Sequence, residues 1–148
     1  MSIAVRYLAR KDRTSAQVEG FLLHKGVARS EVRAIVSRLS QLRYLDDRAY
    51  AERWIETRMT RRPMGRARLE AELLAQGVAD PLVGQAIHGA LRNLDEETLA
   101  RRALRLARQA GRRLTPGQAI RLLRQRGFEE EIVEHIMGGL REHEDSDR

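Results

Sequence analysis

The sequence predicts an all-α protein of three tandem three-helix repeats, about nine helices in all, stacked into an elongated, curved body. Two observations support this. Glycines recur about every fifty residues, each with a leucine four residues before it, an apolar residue directly after it and a valine six residues after it. Apolar residues elsewhere recur at helical spacing, and no segment alternates as a half-buried strand does. The repeated glycines are Gly26, Gly77 and Gly127.

Each glycine is predicted to cap the second helix of its repeat. In the first repeat Thr14 begins that helix, with Gln17 as its capping-box partner. In the third repeat Thr115 begins it, and Pro116 suits the first helical position. The predicted ranges are 1–41 for repeat 1, 42–92 for repeat 2, 93–140 for repeat 3 and 141–148 for a polar, disordered tail.

The joints between repeats are short and begin with candidate helix caps. Asp46 is the predicted cap at the first joint, and Asp95 is the predicted cap at the second. Glu96 and Glu97 follow Asp95, and their negative charge favours a helix N-terminus.

The chain is strongly basic, with a net charge of +7 over 148 residues. Its 28 basic residues are all arginine except Lys11 and Lys25. Arginine suits bidentate pairing with carboxylate or phosphate. A GC-rich coding sequence explains the ratio of arginine to lysine equally well, but it does not explain the net charge. The charge therefore implies an acidic or nucleic-acid partner.

Several function classes find no support in the sequence. There is no cysteine, and the four histidines are scattered without metal-ligand spacing. No glycine-rich phosphate loop is present, and no apolar run approaches the roughly 20 residues of a membrane helix. The start of the chain does not resemble a signal peptide. We therefore expect a cytoplasmic protein with no enzymatic activity, no catalytic or metal site and no cofactor.

An arginine stripe is the strongest charged feature. On the predicted first helix of repeat 3, Arg101, Arg105, Arg108 and Arg112 share one face, and Leu99, Ala103, Leu106 and Ala110 are predicted to face the core. A solvated polar face is the alternative, but such faces usually mix signs, and no acid occurs from Thr98 to Leu114. The candidate partner-binding or DNA-binding residues are Arg101, Arg105, Arg108, Arg112, Arg121, Arg124, Arg66 and Arg68.

Each repeat also permits a helix-turn-helix interpretation, with two helices around a glycine turn. In repeat 3 the recognition helix would begin with Glu129, Glu130 and Glu131, which would repel the DNA backbone. Sequence-specific reading by all three repeats is therefore not expected. Weak, non-specific binding to single-stranded or double-stranded DNA stays open as an alternative function.

Three segments resemble a known family: AVRYLARKDRT, YLDDRAYAERWIETR and RPMGRARLEAELLAQGV. From Ala4 to about Leu140 the chain is similar to the bacterial RecX regulatory proteins. The resemblance implies a monomeric tri-helical repeat protein that lies in the groove of the RecA–DNA filament. It also implies restraint of RecA's ATP turnover, strand exchange and co-protease action, and thus a role in DNA repair, recombination and the SOS response. The resemblance implies no catalytic residues in this chain.

Overall fold

The fold consists of helices joined by short turns. The computed structural model describes residues 1–92 and 94–146, and this part of the chain forms nine helices and no strand. The all-α prediction is confirmed. None of these helices is long and apolar enough to cross a membrane. The helices are α1 (Ser2–Arg10), α2 (Ser15–His24), α3 (Arg29–Gln41), α4 (Asp47–Arg61), α5 (Arg66–Ala75), α6 (Asp80–Ala90), α7 (Glu96–Gln109), α8 (Pro116–Gln125) and α9 (Glu130–Ser146).

We refer to α1–α3, α4–α6 and α7–α9 as repeats 1, 2 and 3. The C-terminal boundary differs from the prediction, because α9 continues to Ser146 where a disordered tail was expected from residue 141. After Gly139 no glycine or proline interrupts this helix, and glutamate and arginine are good helix formers. Asp147 and Arg148 of the predicted tail lie outside the described residues.

The repeated glycines cap the second helices in the left-handed region, as predicted. In repeat 1 the Gly26 N–H donates to the Leu23 carbonyl (3.0 Å), and the Val27 N–H donates to the Leu22 carbonyl (3.1 Å). These are the two bonds of a Schellman motif, which a hydrophobic contact between the flanking residues often accompanies. The same bonds recur in repeats 2 and 3, which accounts for the leucine before and the apolar residue after each glycine. The angle φ is 85°, 90° and 80° at, in order, Gly26, Gly77 and Gly127.

The predicted N-terminal caps are also present. Thr14 forms a capping box with Gln17, and Thr115 forms one with Gln118. At the joints, Asp46 accepts from the Ala49 N–H (3.0 Å), and Asp95 accepts from the Thr98 N–H (2.7 Å). These caps satisfy amides that have no acceptor within their own helices.

The chain divides into two compact units, and the division falls within α4, α5 and α6. Unit 1 comprises Met1–Trp54 and Glu72–Ala86; unit 2 comprises Ile55–Ala71 and Ile87–Arg148. Unit 1 has a core that includes Ala4, Val18, Leu22, Val32, Ile35, Leu39 and Leu45. Unit 2 has a core that includes Leu99, Ala100, Ala103, Leu104, Ala119, Leu122, Leu123, Phe128, Val133, Ile136 and Met137.

Each unit contains one joint between successive repeats, and the two joints use residues at equivalent positions and the same type of accepting carbonyl. In unit 1 the Thr14 hydroxyl of repeat 1 donates to the Gln76 carbonyl of repeat 2 at 2.7 Å. In unit 2 the Gly65 N–H of repeat 2 donates to the Arg126 carbonyl of repeat 3, also at 2.7 Å. Each accepting carbonyl belongs to the residue before a capping glycine.

At each joint a second hydrogen bond, accepted by a carboxylate of the following repeat, satisfies the backbone N–H of the first residue of the second helix. The Ser15 N–H at the start of α2 donates to the Asp47 carboxylate of repeat 2 (2.8 Å). The Arg66 N–H at the start of α5 donates to the Glu96 carboxylate of repeat 3 (2.7 Å). In repeat 3 the equivalent position is Pro116, which has no N–H to satisfy.

Candidate partner-binding surface

The exposed face of α7 carries three of the predicted arginines. Arg101, Arg105 and Arg108 are all exposed, on the side of the helix opposite its buried residues. Among the described residues, no carboxylate lies within salt-bridge distance of Arg105 or Arg108. The buried face consists of Leu99, Ala100, Ala103 and Leu104.

The end of α7 corrects two of the expectations. The helix ends at Gln109, and Gly111, with φ of 85°, turns the chain. Arg112 therefore follows the turn and does not continue the stripe along the helix face. Of the predicted core residues, Leu106 is only half-buried and Ala110 is exposed as the C-terminal cap. Counting helical spacing through Gly111 misplaced Arg112, and the buried face includes Ala100 and Leu104 in place of Leu106 and Ala110.

Arg101 differs from its neighbours because it is paired. Its guanidinium contacts the Glu97 carboxylate one turn earlier, at 2.7 Å. The same carboxylate oxygen lies 3.4 Å from Nε2 of His135. The charge of Arg101 is thus partly offset, and Arg105 and Arg108 are the better candidates for contact with a partner.

The two candidate arginines of α8 have different surroundings. Arg124 forms a two-bond ion pair with the Glu130 carboxylate at the start of α9, one bond of which is 2.9 Å. This pairing raises the pKa of Arg124 and lowers the pKa of Glu130. Arg121 is exposed and lines a cleft together with Arg112. Arg112 and Arg121 thus line one cleft, and Arg124 is not among the residues that line it.

A cleft of about 360 Å³ lies between the α7–α8 turn and α8. A neighbouring cleft of about 410 Å³ is lined by Arg108 of α7 and by Arg112 and Arg113, which follow that helix. Among the described residues, no carboxylate lines either cleft, so both present a surface of positive potential. The residues that line the first cleft are Arg112, Arg113, Leu114, Gln118, Arg121, Leu122 and Gln125.

Arg126, at the C-terminal cap of α8, is half-buried within a group of like charges. Burial lowers the pKa of its guanidinium, and repulsion by three other guanidinium groups lowers it further. These groups belong to Arg62, Arg112 and Arg68. Burying a cation among cations is unfavourable unless an anion completes the site.

The first turn of α5 contains the remaining candidates, Arg66 and Arg68, and both are exposed. The Arg66 backbone is held by Glu96, as described for the joint. Arg68 lies close to Arg126 across that joint, since a Cβ added at Gly127 would lie 2.3 Å from the Arg68 Cβ. Arg68 thus belongs with the Arg126 group.

In the sequence Arg126, Arg62 and Arg113 belong to basic clusters, but they were not among the candidate site residues. The available signal was the repeat register, because Arg126 directly precedes a capping glycine, as Gln76 does. In the part of the chain that the structure describes, no three His, Asp or Glu residues group as metal ligands would.

Two family models match the sequence. One, described as the first three-helix domain of RecX, matches residues 1–39. The other, described as the second three-helix domain of RecX, matches residues 46–87. The first matched range covers α1, α2 and most of α3, and the second covers most of α4–α6.

Curated relatives and solved structures give the same family name. The regulatory protein RecX of Treponema pallidum (strain Nichols) is 35% identical over 136 residues, which cover 91% of this chain and 81% of the relative. That of Thermus thermophilus is 34% identical over 128 residues, which cover 86% of this chain and 82% of the relative. The crystal structure of RecX from Lactobacillus salivarius matches with a TM-score of 0.74 at 22% identity, over 94% of this chain and 92% of that chain. This structural likeness concerns the fold alone.

Proposed function

The chain belongs to the RecX family of regulatory proteins, and from that membership we propose that it binds the RecA recombinase and the RecA–DNA filament. In this proposal it mainly inhibits the recombinase, ATPase and co-protease activities of RecA. It acts in the cytoplasm as a monomer, through binding and without chemistry of its own.

One observation supports a surface for this contact. Among the described residues, four arginines on and after α7 have no carboxylate within salt-bridge distance. Arg105 and Arg108 are exposed on the helix, and Arg112 and Arg121 line the adjoining cleft. A filament of protein and DNA offers both acidic side chains and phosphates, and guanidinium groups pair with either. We assign the main filament contact to these four residues.

The other candidates contribute less in this proposal. Arg101 and Arg124 already pair with Glu97 and Glu130. Exposed ion pairs of this kind contribute little to stability, but a partner would have to displace or share their carboxylates. Arg66 and Arg68 lie at the joint between repeats 2 and 3, next to the half-buried Arg126.

Direct binding of nucleic acid, without RecA, is the second candidate function. The arginine-lined clefts favour it, because they offer several guanidinium groups and no carboxylate among the described residues. Such binding would be non-specific and would weaken steeply with salt, by about 0.9 in log K per neutralised phosphate for each unit of log salt on duplex DNA.

The experiment compares binding of the purified protein to RecA alone, to DNA alone and to RecA filaments on single-stranded DNA, at one salt concentration. A RecA regulator binds the filament more tightly than it binds the DNA. Equal affinity for filament and bare DNA would favour the nucleic-acid module instead. Absence of binding to RecA in either form would contradict the main proposal.

A further inference from the structure

Both joints use one docking mode, in which the capping-glycine turn of one repeat covers the start of the preceding repeat's second helix. At the start of α2, the Thr14 hydroxyl donates to the carbonyl directly before Gly77 (2.7 Å). At the start of α5, the Gly65 N–H donates to the carbonyl directly before Gly127 (2.7 Å). Thr14 and Gly65 are both buried. The molecule thus covers such a start twice with the C-terminal turn of another helix.

The start of α8 has the same donors as the start of α2, but it is exposed. Counted back from the capping glycines, Thr115 is equivalent to Thr14. Gln118 is likewise equivalent to Gln17, whose Nε2 donates to Gln76 Oε1 at 2.9 Å in the first joint. The capping box fixes Thr115 and Gln118, both of them exposed. Within the described chain, neither the Thr115 hydroxyl nor Gln118 Nε2 donates a hydrogen bond, so two oriented donors remain for a partner.

The cleft beside this start sets the charge that a partner must carry. Gln118 lines this cleft of about 360 Å³ with Arg112, Arg113 and Arg121, and no carboxylate of a described residue lines it. Guanidinium groups have N–H donors and no acceptor, and carboxylates match them in bidentate pairs. A helix C-terminus adds free carbonyls and the negative end of the helix dipole. The occupant that fits is therefore the C-terminal turn of a helix with acidic side chains.

A second copy of this chain does not supply such a turn at its capping glycines. The capping glycines of repeats 2 and 3 already lie in the joints. The turn at Gly26 contains Lys25, and the turn at Gly111 leads into Arg112. The arginines of the cleft would repel both cations. The occupant is therefore a different protein.

We propose that the start of α8 and its cleft dock onto an acidic helix C-terminus of a RecA protomer. The Thr115 hydroxyl donates to a carbonyl of the partner's last turn, as Thr14 donates to the Gln76 carbonyl. Gln118 Nε2 donates beside it, and the arginines of the cleft pair with the partner's carboxylates. The inference rests on the proposed binding of RecA and adds the kind of RecA surface that is recognised.

Gln118→Glu is the decisive variant, because it removes the donor and keeps the helix start. Glutamate is a usual partner in a capping box, so the Thr115 N–H retains its acceptor. The new carboxylate cannot donate to a carbonyl, and it would repel acidic side chains of the partner. Gln85→Glu makes the same change at an exposed position of α6, outside the cleft, and is the matched control. Both variants should match the parent protein in far-UV circular dichroism and in melting temperature (Tm).

The test measures the affinity of each protein for RecA without DNA, and for a fluorescent oligothymidylate without RecA, at one salt concentration. We expect Gln118→Glu to bind RecA about tenfold more weakly than Gln85→Glu does, because it lacks the donor and adds a like charge. Arg121→Gln, which removes one exposed cation from the cleft, should also weaken RecA binding. Gln118→Glu and Gln85→Glu should bind the oligonucleotide alike.

The possible results separate this inference from the proposed regulation. Equal affinity of Gln118→Glu and Gln85→Glu for RecA would overturn the inference, while the binding of RecA by the parent would leave the regulation standing. A loss of affinity for the oligonucleotide as large as the loss for RecA would also overturn it, because the cleft would then take a DNA phosphate. If the parent binds RecA in no form, the proposed regulation fails and the inference fails with it.

Discussion

The Thr14 hydroxyl donates a hydrogen bond of 2.7 Å to the carbonyl oxygen of Gln76, the residue before the capping glycine of the next repeat. The same oxygen of Thr14 accepts the Gln17 N–H at 3.2 Å, so one buried hydroxyl both caps α2 and fixes repeat 1 to repeat 2. The joint thus depends on Thr14, which caps the start of α2 and also satisfies the Gln76 carbonyl that follows α5.

Replacing Thr14 by valine should therefore cost more than the loss of an ordinary cap. Valine keeps the shape but removes the N-cap acceptor, worth about 1 kcal/mol. It also leaves the Gln76 carbonyl without its partner, which adds roughly 1–3 kcal/mol. Thr115→Val is the matched control, because Thr115 forms the same capping box at an exposed position. Urea unfolding should show the larger loss for Thr14→Val, and equal losses would mean that the joint bond contributes nothing.

The capping glycines should differ in their tolerance of alanine. A Cβ at Gly26 would meet nothing within 4 Å, whereas a Cβ at Gly77 would lie 2.6 Å from the Ala16 Cβ. Both glycines have positive φ, so each substitution costs about 1 kcal/mol of backbone strain. Gly77→Ala should cost roughly a further 1–3 kcal/mol, since the packed joint must shift.

Chemical denaturation of the two variants measures this difference. Gly84→Ala serves as a control for the substitution itself, because Gly84 lies inside α6 with open space around it. That change should stabilise the protein by up to about 1 kcal/mol. Similar losses for Gly26→Ala and Gly77→Ala would show that the close approach at the joint is absent in solution.

Asp95 should make the stability depend on acidity. The hydrogen bond from Thr98 lowers the pKa of this carboxyl in the folded protein. A carboxyl with a lowered folded pKa stabilises the protein above its unfolded pKa of about 3.9, and this contribution is lost as the pH falls through the folded pKa.

Asp95→Asn keeps a good cap residue but cannot titrate. Thermal melts between pH 7 and pH 3 should therefore show a smaller fall in Tm for the asparagine variant than for the parent. Parallel pH profiles would mean that the Asp95 cap does not form or that its carboxyl is not shifted.

Local features of the fold could be predicted from the sequence because they depend on neighbouring residues. The glycine caps and the Thr14 and Thr115 capping boxes follow from spacings of three to six residues within one helix and its turn. Arg112 was misplaced for a local reason as well, since Gly111 ends α7 before it. Gly111 itself indicated a helix end in the sequence, but the helical spacing of the arginines was counted past it to Arg112.

The joints could not be predicted from spacing along the chain. The bonds from Ser15 to Asp47 and from Arg66 to Glu96 connect residues that are far apart in sequence. In the sequence Glu96 suggests only a charge that favours the N-terminus of its own helix. Likewise, the Gln17–Gln76 hydrogen bond joins residues of different repeats that only the folded joint brings together.

Reversal of the α7 arginines tests the central claim, that this surface regulates RecA. Arg105→Glu and Arg108→Glu are combined in one variant, because both side chains are exposed and glutamate is also a good helix former. Arg33→Glu combined with Arg38→Glu on α3 gives the same change of charge elsewhere. Far-UV circular dichroism and Tm should match the parent protein in both variants.

The most direct measurement is the DNA-dependent ATPase rate of RecA with each protein at one fixed salt concentration. We predict that the α7 variant inhibits RecA much less than the parent and that added salt weakens the inhibition by the parent. Salt screens exposed charges over about 8 Å at physiological ionic strength. The α3 variant should inhibit as the parent does. Undiminished inhibition by the α7 variant, with its melting unchanged, would contradict the claim and mean that these arginines form only a solvated face.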